Sequence, residues 1–167
     1  MWYDQENAVI SVVKNPKAVS VKWAPSTTLW FMEGKNLKLK LPSGRCLTYP
    51  QATLEYTDTP YGDRKLTLCF MAVDPKNRWS KEKSYGGKLV ENITQAVARD
   101  ILAQAMLRLE KAGYPVIFSV HDEIVCEVPD GKGSLEEFNK ILCTLPEWAN
   151  GLTIKAECWQ GKRYKKG

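Results

Sequence analysis

Val120-His121-Asp122-Glu123-Ile124 joins two runs, residues 115–120, nearly all apolar, and 124–128, apolar apart from Glu127. Short apolar runs on either side of a polar tip predict a β-hairpin with buried strands. Tight hairpin turns favour Asn-Gly, Asp-Gly or Gly-X, because their backbone needs a positive φ. His-Asp-Glu is poor turn chemistry in apolar surroundings, and a local rule broken without compensation points to function. Two neighbouring carboxylates repel each other, so a positive partner is expected nearby, and a divalent metal ion is the usual one. A solvated acidic turn is the plain alternative for the same residues.

The 167 residues suffice for one domain or for a compact piece of a larger protein, and 44% apolar content can build a core. With 24 basic against 19 acidic side chains, the net charge of +5 permits a polyanionic partner without requiring one. The final segment is more pointed: Lys155, Lys162, Arg163, Lys165 and Lys166 are interleaved with Trp159 and Tyr164. Such groups neutralise phosphates and stack on bases or sugars, although a frayed, solvated terminus has the same composition. The five cysteines (46, 69, 126, 143 and 158) contain no CxxC pair. This argues against a zinc site and a disulfide scaffold. Cys126, Cys143 and Cys158 lie in apolar surroundings and are expected to be small core residues. His121 is the one histidine, which excludes a histidine-based metal cluster. A start without signal character, and no apolar run approaching the ~18 residues of a membrane span, predict a soluble cytoplasmic protein without a membrane partner.

Residues 5–14 have helical periodicity through Ala8, Val9, Val12 and Val13, and Asn15-Pro16 ends them. Strands are expected at 28–32, 37–41, 46–49, 52–56 and 66–73, with turns at 33–36 and 42–45 and with Pro60, Gly62 and Asp63 breaking the last pair apart. This reads as an antiparallel, half-exposed meander. Residues 74–84 look like a polar loop bearing Lys76, Arg78, Trp79, Lys81 and Lys83. The strongest helix is 89–112, with Ile93, Ala96, Val97, Ala98, Ile101, Leu102, Ala105 and Leu109 on one stripe and Gly113 as its stop. Ser134 and Glu137 form a capping box for a helix that should bury Leu135, Phe138, Ile141 and Leu142, and 152–158 is expected to be a last strand.

On the long helix Lys88, Asn92, Gln95 and Arg99 recur at spacings of four, three and four, which aligns them in one polar row. An ordinary solvent face has this pattern. So does a surface that holds a duplex without reading it, because minor-groove acceptors are nearly the same on every base pair and suit amide and guanidinium donors.

The hairpin sequence, continued by Val125 and by Glu127-Val128-Pro129, closely resembles motif C of the family A DNA polymerases. The wording of 85–129 and then Ser134-Leu-Glu-Glu-Phe, Pro146-Glu-Trp-Ala and Trp159-Gln-Gly-Lys-Arg-Tyr is similar to the phage and prophage branch of that family. Before residue 78 the likeness rests on the Leu41-Pro-Ser-Gly-Arg45 turn and its flanking strands. The resemblance implies that Asp122 binds catalytic magnesium, or manganese in its place. Glu123 supports it, and His121 positions the primer terminus. It also implies that Gln95, five residues before Asp100, and Asn92 face the primer-template minor groove. Arg99 and Lys88 join them by helical phase. The family spaces its Asn and Gln by four and follows the Gln with Gly-Thr, whereas here the spacing is three and Ala96-Val97 follow.

Two-metal phosphoryl transfer needs ligands for both ions, about 4 Å apart, and one hairpin supplies only part of them. In the family a second Asp comes from an Asp-Tyr-Ser segment, motif A, and the nucleotide is gripped by an Arg/Lys/Tyr-Gly helix, motif B. Neither is found. Tyr3-Asp4-Gln5-Glu6 has no apolar strand leading into it, and Tyr85-Gly86 has no Arg/Lys helix upstream. The expectation is therefore the C-terminal part of a DNA-directed DNA polymerase, inactive alone. Its partners would be primer-template DNA, deoxynucleoside triphosphates and a missing N-terminal portion or separately encoded partner. The expected fold is α+β: an antiparallel palm-type sheet with the motif C hairpin on the long helix, and a β-meander subdomain. The expected parts are 1–19 as a fingers-derived helix, 20–77 as the meander and 78–167 as the palm half. A non-catalytic nucleic-acid-binding module and a metal-dependent nuclease or phosphatase are the rival classes.

Overall fold

A computed structural model describes residues 1–23, 26–58 and 62–164, so Pro60, Lys165 and Lys166 lie outside the described residues. The fold is α+β, with antiparallel sheets and one long helix. The chain divides into two compact units, Met1–Val97 and Ala98–Gly167.

The first unit opens with helix α1 (Trp2–Lys14), ended at Asn15, whose extended backbone precedes Pro16 as proline requires. Strands β1 (Val19–Trp23), β2 (Ser26–Glu33), β3 (Asn36–Lys40) and β4 (Cys46–Tyr49) follow in one antiparallel sheet in sequence order. Alternation decides which face of β3 turns inward: Leu37 and Leu39 are fully buried, while Lys40 stays exposed. Trp30 on β2 pairs with Leu39 and is itself fully buried. An indole N–H taken from water needs an acceptor. Gln5 of α1 supplies it, Trp30 Nε1 donating to Gln5 Oε1 at 2.7 Å. Gln5 Nε2 donates to Thr28 Oγ1 at 3.5 Å, and that hydroxyl donates to the Val21 carbonyl at 3.2 Å. Ala8, Val9 and Val12 bury the same face of α1.

A second antiparallel sheet, β5 (Thr53–Asp58), β6 (Arg64–Val73) and β7 (Trp79–Ser84), follows the first, so the expected meander is two sheets. Tyr49 links them, its ring 5.7 Å from Trp30 and edge-on to Phe70 at 5.0 Å. Two strands were not expected from the sequence, β1 and β7. The 74–84 segment is a loop only at its start, where the Asp74 carboxylate accepts from the backbone N–H of Lys76 and Arg78. From Trp79 onward it pairs with β6 in full register. Its side chains alternate without apolar residues on the covered face, so tertiary pairing overrides a weak local signal.

Helix α2 (Gly86–Lys111) gives its first part to this unit, burying Leu89, Ile93, Ala96 and Val97. The Leu41-Pro-Ser-Gly-Arg45 turn docks on it, Arg45 Nη2 donating to the Ala96 carbonyl at 3.0 Å. At its start, a Cβ on Gly86 would lie 2.6 Å from the Trp2 carbonyl oxygen, so α1 and α2 meet backbone to backbone.

The second unit begins within α2, where Ile101, Ala105 and Leu109 are buried. The helix stops at Gly113, which takes a φ of +85 and donates to the Glu110 carbonyl, while Tyr114 N donates to the Leu109 carbonyl at 3.0 Å. This is a Schellman stop, in which glycine adopts the left-handed conformation at no steric cost. Strands β8 (Val116–Val120) and β9 (Glu123–Cys126) form a two-stranded antiparallel sheet. Helix α3 (Leu135–Cys143) follows, capped by Ser134, whose Oγ accepts from Glu137 N at 3.1 Å.

Three expectations about this unit are corrected. The hairpin strands are half exposed, with Ile117 53% and Phe118 38% accessible. No residue of α3 is fully buried, and Leu135 is 42% exposed. Residues 152–158 form no strand; they run beside α3, where Asn139 Nδ2 donates to the Ala156 carbonyl at 2.7 Å. The cysteine expectation also changes. All five are free, Cys69 is the buried one, and Cys126, Cys143 and Cys158 are half-buried. No helix among the described residues is long and apolar enough to cross a membrane.

Candidate functional site

Val120 pairs with Glu123, so the hairpin turn has two residues, His121 and Asp122. His121 takes a φ of +53, at the turn position where a II′ turn prefers glycine. A side chain in the left-handed region costs about 1–2 kcal/mol, which the surrounding ladder must sustain. The ladder is itself irregular: Val116 pairs with Cys126 but Phe118 with Val125, leaving Ile117 as an extra residue. A bulge of this kind raises local twist and re-aims the strand beyond it. The base of the hairpin is tied to the end of α2 by Val116 N, which donates to Glu110 Oε1 at 2.6 Å. Burial, with Glu110 nearby, pushes the Cys126 thiol up to about 11, which keeps it protonated and unreactive.

The three tip residues have different surroundings. His121 and Asp122 are exposed, and neither has a hydrogen-bond or ion-pair partner among the described residues. Glu123 is half-buried, and its Oε2 accepts from the Tyr164 hydroxyl at 2.9 Å. The Tyr164 ring stands edge-on to Phe118, with centroids 5.2 Å apart. Sequence inspection grouped Tyr164 with the basic tail. The contact spans 41 positions and leaves no local signal.

No lysine or arginine among the described residues is paired with Asp122 or Glu123. The expected positive partner is therefore not supplied by the chain itself at this tip. Among the described residues no three His, Cys, Asp or Glu side chains converge as a closed metal cage. Two adjacent carboxylates still suit magnesium, which keeps several waters and is commonly held by one or two carboxylates together with substrate phosphates.

Of the helical row, Lys88, Asn92 and Gln95 lie in the first unit and Arg99 in the second. Asn92 is half-buried and its Nδ2 donates to the Tyr49 hydroxyl at 3.2 Å, so part of this amide is engaged inside the fold. Burial raises the Tyr49 pKa, and this bond partly offsets the rise. Gln95 is exposed and its Nε2 donates to Glu91 Oε1 at 3.1 Å, along the helix. Arg99 is exposed. Tyr3-Asp4-Gln5-Glu6 lies in α1, with Gln5 sequestered by Trp30, and provides no strand-borne carboxylate.

Over 165 residues, 99% of its length, the chain is 40% identical to a DNA polymerase of Bacillus phage SP02. It spans 24% of that protein's length. No protein-family model matches the chain, and no solved structure matches it.

Proposed function

We propose that this chain is part of a family A DNA polymerase and that β8–β9 is its motif C. The observation that carries this is the tip itself: two adjacent carboxylates on a strained two-residue turn, one of them without any partner among the described residues. The 40% identity to a phage DNA polymerase over nearly the whole chain supports it.

Asp122 and Glu123 would hold magnesium, which when bound supplies charge stabilisation to the phosphates of the incoming nucleotide and the primer end. The chain's own residues do the rest of the positioning here. His121, exposed on the turn, would orient the primer terminus. Gln95 and Arg99, each exposed on α2, would offer donors to minor-groove acceptors, and Lys88 would meet the phosphates. Asn92, bonded to Tyr49, braces that surface and shares the role in part. Primer-template DNA and deoxynucleoside triphosphates are the substrates under this reading.

The remaining ligands and the nucleotide grip, motifs A and B, would come from the part of the polymerase outside this chain. That part would also cover the exposed Ile117 and Phe118 beside the hairpin. The chain alone should then not extend a primer. The test is primer extension by the longer polymerase with and without Asp122→Asn, alongside the 167-residue chain alone. The substitution should lower the rate by about 10²- to 10³-fold, and the chain alone should be inactive. An undiminished rate with Asp122→Asn overturns the assignment of the tip. Extension by the chain alone, lost with Asp122→Asn, overturns its incompleteness.

A further inference from the structure

We propose that Tyr164 is a positioning residue for Glu123, a strap from the end of the chain that holds this carboxylate in one orientation for a cation. The inference rests on the reading of the hairpin tip as a metal-binding carboxylate pair. Tyr164 is held at two points: its ring against Phe118 on β8, and its hydroxyl on Glu123 at the start of β9. One side chain thus spans both strands of the hairpin just below the turn. Glu123 has two carboxylate oxygens, each able to accept more than one bond. The hydroxyl occupies Oε2, and Oε1 has no partner among the described residues.

The chemistry of the donor matters. A lysine or arginine in this place would satisfy the carboxylate and cancel its charge, in competition with a metal ion. A neutral hydroxyl restricts the rotamer and leaves the negative charge intact, as hydrogen bonds behind metal ligands do. The route of the tail is built for the return. An added Cβ on Gly161 would lie 2.7 Å from the Trp159 ring, so the chain passes directly beneath that indole before bending at Lys162 and Arg163.

The test uses Tyr164→Phe, which keeps the ring and deletes the hydroxyl, in the longer polymerase that supplies the remaining ligands. Manganese binding is read by water-proton relaxation. Tail docking is read separately by trypsin cleavage after Lys162 and Arg163 in metal-free buffer, since cleavage follows the population of the open state. Tyr164→Phe should weaken manganese binding by about tenfold and speed cleavage several-fold; Glu123→Ala, which removes the acceptor, should speed cleavage equally. Unchanged cleavage in both variants overturns the strap. Faster cleavage with unchanged manganese affinity reduces the contact to packing and overturns the positioning role. If manganese binds, is lost with Asp122→Asn and is indifferent to Tyr164→Phe, the metal reading of the tip stands and this proposal fails. If Asp122→Asn leaves manganese binding by the longer polymerase unchanged, the metal reading fails, and the positioning role with it.

Discussion

Gln5 and Ser84 are both buried polar side chains, with opposite hydrogen-bond fates. Gln5 satisfies the Trp30 indole and reaches Thr28, whereas Ser84 Oγ has no partner among the described residues. Removing a buried partner leaves the other group unsatisfied, at about 1–3 kcal/mol per group, while deleting an already unpaired hydroxyl removes a penalty. Gln5→Leu should therefore destabilise by about 2–3 kcal/mol, and Ser84→Ala should be neutral or stabilising by up to about 1 kcal/mol. Urea unfolding of the two variants measures both. Neither role was legible in the sequence. Gln5 reads as a polar lead-in to a helix, and its partners lie 23 and 25 positions away. The acidic tip was legible, because its oddity is local: the wrong residues for a tight turn, between two apolar runs.

Elements were predicted well where a local rule governs them. The alternation of β3, the glycine stop of α2 and the Ser134 cap all follow from spacing alone. Where a distant partner decides, spacing was silent, as at β7 and at 152–158. The capping box of α3 shows both cases at once. Ser134 caps Glu137 N as expected, but the return bond is made by Tyr114. Its hydroxyl accepts from Ser134 N at 3.1 Å and donates to Glu137 Oε2 at 2.5 Å. The bond to Glu137, followed by burial, raises the Tyr114 pKa above its ordinary 10.0. A tyrosine with a raised folded value contributes stability below its unfolded pKa and loses it as pH rises through the folded value. Stability should therefore fall above pH 10.0, and Tyr114→Phe should be less stable near neutrality yet flatter across that alkaline range. Denaturation midpoints taken from neutral to alkaline pH test this; an equal alkaline slope in the variant refutes the assignment. Buried Tyr49 contributes with the same sign in the other unit.

Across the whole molecule, burial is uneven. The second unit contains Ile101, Ala105, Leu109, Tyr114 and Ala149 as its buried apolar residues among those described, while the first holds Trp30, Leu37, Leu39, Leu41, Leu89, Ile93 and more. Local stability follows buried apolar contact. Hydrogen-exchange mass spectrometry should find the slowest amides in β2 and β3, and exchange faster by orders of magnitude in β8, β9 and α3. Equal protection of the hairpin in the chain alone would contradict this. A thin core was not visible in composition, since Ile117, Phe118 and Leu135 are apolar residues that the fold leaves partly exposed. The meeting of α1 with α2 carries a different kind of consequence. The Trp2 carbonyl leaves no room for even a methyl group at position 86, and Gln5 rides on the same helical turn as Trp2. Alanine at 86 would therefore act as a wedge whose push is delivered through a rigid lever to the Trp30 indole, so that the smallest mutation available there is felt in a sheet it never touches.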